Sequence, residues 1–182
     1  MAKLPSKISP SYLENAAMHY LERFASSSRN LRRVLMRKVD RSLAHWGEDG
    51  SGNREACAAQ VDAVIAKLAS LGYLNDAAYA EMKTRSLHRQ GKGSRTIRAT
   101  LAAKGIDADL TASALDSLAE EVAEPDLAAA IKLARKRRLG PFRPGMREEF
   151  RQKDLATLAR AGFDFDTARR VIEAESAEAL NG

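Results

Sequence analysis

Gly91-Lys92-Gly93-Ser94 is the stretch whose residue types come nearest to a known chemistry, that of a glycine-rich turn cradling phosphate. The match fails on spacing. A phosphate-binding loop needs Gly-x-x-x-x-Gly-Lys-Ser/Thr after a buried strand, so that amides and lysine converge on the anion. Here Gly93 parts the lysine from the serine, and the residues before it have the pattern of a basic helix. The simpler reading is an interhelical turn with Ser94 as the cap of the next helix, whose N–H groups could still hold a phosphate of a bound strand. His19, His45 and His88 lie far apart and lack the His-Glu-x-x-His spacing of a metal site. Cys57 is the one cysteine, which excludes an intramolecular disulfide framework and a multi-cysteine zinc site; it is expected to pack in or near a helix. Asp107 and Asp109 could be imagined as acid and base, but a helix start attracts carboxylates in any case. Trp46, beside a glycine-rich stretch, is either a stacking platform for a base or an anchor holding that stretch to the body. No constellation supports an enzyme, a metal or a cofactor.

The sequence does carry charge in blocks. Segments 23–41, 83–104 and 132–153 together hold 23 of the 30 Lys/Arg and 3 of the 24 Asp/Glu, a net +20, against −14 for the remaining 119 residues. Segment 105–126 has seven acids and no Lys or Arg. Solvated helix faces usually mix signs, so recurring basic blocks point to a polyanion, most often nucleic acid. The candidate contacts are Arg29, Arg32, Arg33, Arg37 and Lys38 in the first block, with Arg85, Arg89, Lys92, Arg95, Arg98 and Lys104 in the second. The third block adds Arg135, Arg137, Arg138 and Arg143. Arginine suits this task because it adds paired hydrogen bonds to charge at a phosphate.

The elements that must position these residues read as helices throughout. Of 182 residues 45% are hydrophobic, 30% charged and 5% aromatic, rich in Ala, Leu, Arg, Lys and Glu, which favour helix. No stretch shows sustained strand-like alternation between turn residues. Turn and cap residues divide the chain into helices at about 11–25, 28–40, 55–71, 76–90, 94–104, 107–122, 125–138, 147–161 and 164–178. The polar, glycine-rich stretch 46–54 is expected to be a flexible loop, and 139–145, with Pro141 and Pro144, a stiffer break. Leu68-x-x-x-Gly72-Tyr73, Leu101-x-x-x-Gly105-Ile106 and Leu158-x-x-x-Gly162-Phe163 should end helices on a left-handed glycine, the next apolar side chain folding back. Asp76, Asp107 and Asp164 then stand where they could cap the following helix.

The chain also repeats itself. A shift of 66 superposes Ser28, Arg29, Leu31, Arg32, Leu35 and Lys38 on Ser94, Arg95, Ile97, Arg98, Leu101 and Lys104. A shift of 57 brings the Gly105 stop onto the Gly162 stop. The expected fold class is therefore all-α, an elongated row of three tandem three-helix modules at 11–71, 72–122 and 125–178. Leu31, Leu35, Ile97 and Leu101 should be buried. Arg29, Arg33 and Arg37, and Arg95 with Arg98, should form exposed stripes. No apolar run approaches the roughly 18 residues of a membrane span. Met1-Ala2-Lys3-Leu4-Pro5-Ser6 lacks the apolar continuation of a secretory signal, so a cytoplasmic location is expected.

Leu71-Gly72-Tyr73-Leu74-Asn75-Asp76-Ala77-Ala78-Tyr79-Ala80 resembles the Gly-Tyr/Phe-Leu-Asp-Asp-x-x-Tyr/Phe-Ala signature of the RecX family of bacterial recombination regulators. Gly91-Lys92-Gly93-Ser94-Arg95-Thr96-Ile97 and Leu101-x-x-Lys104-Gly105-Ile106 are similar to that family's Gly-x-Gly-x-x-x-Ile helix and Lys-Gly-Ile/Val ending. Tyr20-Leu21-Glu22-Arg23-Phe24-Ala25-Ser26 with Leu31, Leu35 and Lys38 resembles its first module, and the likeness runs over about 12–175. Asn75 and Ala78 replace the usual aspartate and arginine, Val39 the glycine that closes the second helix, and 46–54 is longer than the family pattern. The resemblance implies an elongated, all-helical protein of three tandem three-helix modules that binds without catalysis or cofactor. A row of modules with polar ends needs no partner chain, so a monomer is expected. It implies binding to the RecA nucleoprotein filament on single-stranded DNA, restraint of RecA ATPase, strand exchange and co-protease activity, and so a part in homologous recombination, DNA repair and the SOS response. The other reading is a basic helical module that binds DNA or RNA without a recombinase.

Overall fold

A computed structural model describes residues 4–47 and 52–180, and among these the regular structure is helical. Nine α-helices follow in order: α1 Pro10–Leu21, α2 Ser28–Trp46, α3 Arg54–Ser70, α4 Asp76–Arg89, α5 Ser94–Lys104, α6 Ala108–Glu121, α7 Pro125–Arg137, α8 Arg147–Ala161 and α9 Phe165–Ile172. Short 3-10 turns lie at Gly140–Phe142 and Glu178–Leu180. The starts are set by small polar residues. Ser9, Ser27, Asn53, Asp107 and Asp164 each accept a backbone N–H from the residue three further on, satisfying one of the donors a helix start leaves open. Asp76 is not the cap of its own helix, as its position in the sequence suggested. Asn75 takes that role, accepting from Ala78 N at 2.9 Å.

Three boundaries differ from the sequence reading. α1 stops at Leu21 in a turn closed by Phe24 N donating to Tyr20 O at 3.0 Å. α2 continues past 40 to Trp46, because Val39 and Ser42 are buried along its length and no breaker intervenes before Gly47, at φ +66°. α9 ends at Ile172, where the Arg147 guanidinium donates to Ile172 O at 2.8 Å and also reaches Ala174 O. Of the expected loop at 46–54, Trp46 is helical, while 48–51 lie outside the described residues. The expected fold-back after Gly72 is made by Leu74, which is buried, whereas Tyr73 is exposed.

The chain divides into two compact units. The first runs through Tyr79 and includes Lys104–Ile106. In it α2 and α3 pack side by side with α1 against them, burying Leu13, Leu31, Leu35, Val39, Cys57, Val61 and Leu68. These residues recur at helical spacing, so the apolar stripe of each helix is consumed in the core. Its α2 start is held from distant parts of the chain: Ser28 N donates to Asp76 Oδ1 at 2.8 Å, and Ser27 Oγ donates to Lys104 O. Gly105, at φ +82°, lies against the stem of Arg29, where an added Cβ would come within 2.2 Å of Cδ and 2.5 Å of Cβ.

The second unit comprises Ala80–Ala103 and the chain from Asp107 onward. α7, α8 and α9 surround a core of Ala129, Ala130, Leu133, Leu158, Phe163, Val171 and Ile172. Leu87, Ile97, Leu101, Ala114 and Leu118 are also buried in this unit. Its α5 start repeats the arrangement at α2. Ser94 donates its N–H and hydroxyl to Asp126 at 2.9 and 2.7 Å, and Gly93 N donates to Ala161 O at 3.0 Å. Gly162, at φ +99°, presses on Thr96, whose backbone N lies 2.6 Å from an added Cβ.

Candidate nucleic-acid interface

α2 carries a basic stripe because its other face is spent on the core. Leu31 and Leu35 are fully buried, and Arg29, Arg33 and Arg37, four residues apart, are exposed. Arg41 is exposed one turn further on. It lies beyond the helix end expected at 40, on the part of α2 that continues to Trp46. Arg32 is half-buried and forks onto Asp62, with Nε 2.6 Å and Nη2 3.0 Å from the two carboxylate oxygens. That pairing holds the Arg32 guanidinium above its ordinary value and the Asp62 carboxyl below its own. Lys38 and Lys104 are half-buried in the same unit.

In the second unit Ile97 and Leu101 turn inward, and Arg95 and Arg98 outward, as their spacing required. Arg95 has a structural duty: Nη2 donates to Ala159 O at 2.9 Å and more weakly to Phe163 O at 3.5 Å. Arg85 is clasped by Glu121 at 2.6 Å and Glu81 at 3.1 Å. Part of the acidic segment thus serves to hold arginine; Glu124 likewise pairs with Arg170 at 2.7 Å. The partner arginines pull the Glu121 and Glu124 carboxyls below the usual range. Arg143 is bound to Asp154, which is 1% exposed and also accepts Gly140 N at 2.9 Å. Arg135 is exposed with its guanidinium 5.5 Å from the centre of the Phe142 ring. Arg89, Arg137 and Arg138 are exposed and Lys92 is half-buried.

The helix start at Ser94 is not open to a phosphate. Asp126 already occupies it, and a carboxylate there satisfies the same N–H donors and dipole that an anion would. Trp46 acts as an anchor: its Nε1 donates to Pro5 O at 2.8 Å, Lys7 lies 5.4 Å over its ring, and His45 meets it edge-on. Burial pushes the Cys57 thiol up, away from the reactive thiolate form. Among the described residues no three His, Cys, Asp or Glu side chains are grouped to hold a metal ion. Nor is any helix among them long and apolar enough to cross a membrane.

Comparison with known proteins gives one consistent answer. Residues 75–115 match the family model "RecX, second three-helix domain". The chain is similar to Regulatory protein RecX of Myxococcus xanthus, 50% identical over 177 residues, covering 96% of this chain and 91% of that protein. It is also similar to Regulatory protein RecX of Agrobacterium fabrum, 31% identical over 174 residues, covering 93% and 86%. The crystal structure of RecX from Lactobacillus salivarius superposes with a TM-score of 0.64 at 26% identity, covering 90% of this chain and 94% of that one.

Proposed function

This chain belongs to the RecX family of regulatory proteins, and from that premise we propose that it binds the RecA filament on single-stranded DNA and mainly inhibits RecA. The affected activities are RecA ATPase, strand exchange and co-protease function. The observation that carries this reading is the 50% identity to a RecX regulatory protein over 96% of the chain. The exposed stripes Arg29, Arg33, Arg37 and Arg98 supply a surface suited to phosphates or to an acidic protein face. It acts as a cytoplasmic monomer, through binding and without catalysis. Its helices form three repeated modules, 11–71, 72–122 and 125–178. The paired joints at Ser28–Asp76 and Ser94–Asp126 support that division.

The concentration of 23 of the 30 Lys/Arg in three blocks favours a second reading, a nucleic-acid-binding module that needs no recombinase. One assay separates the two. The protein is added at fixed salt to RecA hydrolysing ATP on single-stranded DNA. Inhibition well below the DNA-nucleotide concentration, without loss of accessible DNA, is the outcome expected for a filament regulator. Inhibition only at amounts that coat the DNA would replace that reading with the second one.

A further inference from the structure

We propose that a small basic hollow in the second unit binds a phosphate group of a single-stranded nucleic-acid backbone. The hollow encloses about 190 Å³ between the turn after α4, the last turn of α7 and the last turn of α8. Lys92 enters from the turn, Lys136 and Arg137 from α7, and Arg160 from α8; Leu133 and Ala161 contribute its apolar part, and no carboxylate lines it.

Glycine geometry brings Lys92 there. Gly91, at φ +75°, faces α7 so closely that an added Cβ would lie 3.2 Å from Leu133 Cβ. Gly93 meets the end of α8, where an added Cβ would lie 2.5 Å from the carbonyl carbon and oxygen of Gly162. The lysine between them is therefore fastened over two helix ends. Cations in a last helical turn complement the helix dipole, which accounts for Lys136, Arg137 and Arg160 one at a time. It does not account for Lys92, nor for four cationic residues lining one concavity. Among the described residues none of the four is in an ion pair. By contrast Arg85, Arg143, Arg151 and Arg170 of the same unit each face a carboxylate. Like charges gathered around one hollow repel, and an anion seated among them relieves that repulsion.

The dimensions select the form of the anion. Small-molecule sites usually enclose about 300–1,000 Å³, so this hollow suits a phosphate with its ester oxygens better than a whole nucleotide. No aromatic ring lines it to stack a base. The contact is to backbone and carries no sequence preference. The site deepens the proposed function by assigning where a strand is held, and rests on that reading only for the presence of the strand.

The test uses the full chain and labelled oligo(dT) or oligo(dA), followed by fluorescence anisotropy across a salt series without RecA. Lys136→Gln with Arg160→Gln is compared with Arg54→Gln with Lys67→Gln, which removes equal charge at residues paired with Asp40 and Glu14. The hollow variant should weaken binding of both oligonucleotides alike and flatten the slope of log K against log salt by about 0.7 for each phosphate lost. The control pair should leave the slope unchanged. No DNA binding by the wild type, or the same slope and affinity in the hollow variant, overturns the site. Displacement of the DNA by pyrophosphate or ATP far below the chloride concentration with equal effect would make the occupant a free polyphosphate and overturn the strand assignment. Failure to inhibit RecA ATPase would instead remove the filament reading and leave this site standing on its DNA data.

Discussion

Asp76 accepts the backbone N–H of Ser28 at 2.8 Å across 48 residues of chain. Asp126 does the same for Ser94 at 2.9 Å and takes its hydroxyl as well. In both cases a carboxylate from the start of one helix satisfies the start of an earlier one. A glycine stop from further along then closes the joint: Gly105 on Arg29, and Gly162 on Thr96. The doubled hydrogen bond makes Asp126 the more informative of the two to remove. Asp126→Ala leaves Ser94 N–H without its acceptor in a half-buried place and should cost about 2 kcal/mol, the range for hydrogen bonds to charged groups. Asp126→Asn keeps one acceptor and should cost visibly less. Urea unfolding of both variants measures the difference, and equal losses would contradict the assigned geometry.

Gly93→Ala should be among the more damaging single substitutions, at about 2–3 kcal/mol. The new methyl would stand 2.5 Å from backbone atoms of Gly162, which have no rotamer to escape into. Gly72→Ala provides the comparison. It meets nothing within 4 Å but keeps φ +79°, so strain alone should limit its cost to about 1 kcal/mol. Thermal melting that ranks the two in the opposite order would show that the turn can withdraw from α8.

Arg95 and Arg98 should separate stability from function. Arg98→Glu should reduce RecA inhibition several-fold with an unchanged melting curve, because its side chain is exposed and has no hydrogen bond within the described residues. Arg95→Glu should lower both, since it also gives up the bond to Ala159 O. Inhibition left intact by Arg98→Glu would exclude this stretch of α5 from the binding surface.

Acid should destabilise the chain through identifiable carboxyls. Asp62, Glu121, Glu124 and Asp164 all titrate below their ordinary values when folded, the first three through arginine and Asp164 through the backbone N–H of Thr167. The unfolded chain therefore binds protons first. The stability these groups contribute is complete above the unfolded carboxyl values of about 4 and is lost as pH falls through the lower folded ones. The melting temperature should be nearly level from about pH 5 to 8 and decline below about pH 4. Asp164→Asn should soften that decline, and a wild-type slope in this variant would reassign the proton uptake.

How far the sequence could be read follows from the range of each interaction. Leu31 with Leu35 and Ile97 with Leu101 reveal their faces through a spacing of four, and Gly105 and Gly162 reveal helix ends through the residues beside them. Both are local signals. The end of α2 escaped because Val39 removes the expected breaker, and Arg41 escaped with it. The partners of Arg32, Arg85 and Arg143 escaped for a different reason. Asp62, Glu121 and Asp154 stand 30, 36 and 11 residues away. Helical spacing tells that an arginine points outward from its own axis, not which carboxylate waits across the next helix. The same limit hid Asp126, so the start of α5 looked open to an anion when the chain had already filled it.

The joint also has a direction. Each link offers a backbone plug at Ser28 or Ser94 and a socket built from a later aspartate and a later glycine stop. α8 begins differently, after a left-handed Met146, with its own Glu148 and Glu149 in the first turn and no side-chain cap bond. Plug and socket are far apart in the chain, so damage to one is felt at the other: cutting the chain before Asp126 would strip the cap from a helix more than thirty residues upstream.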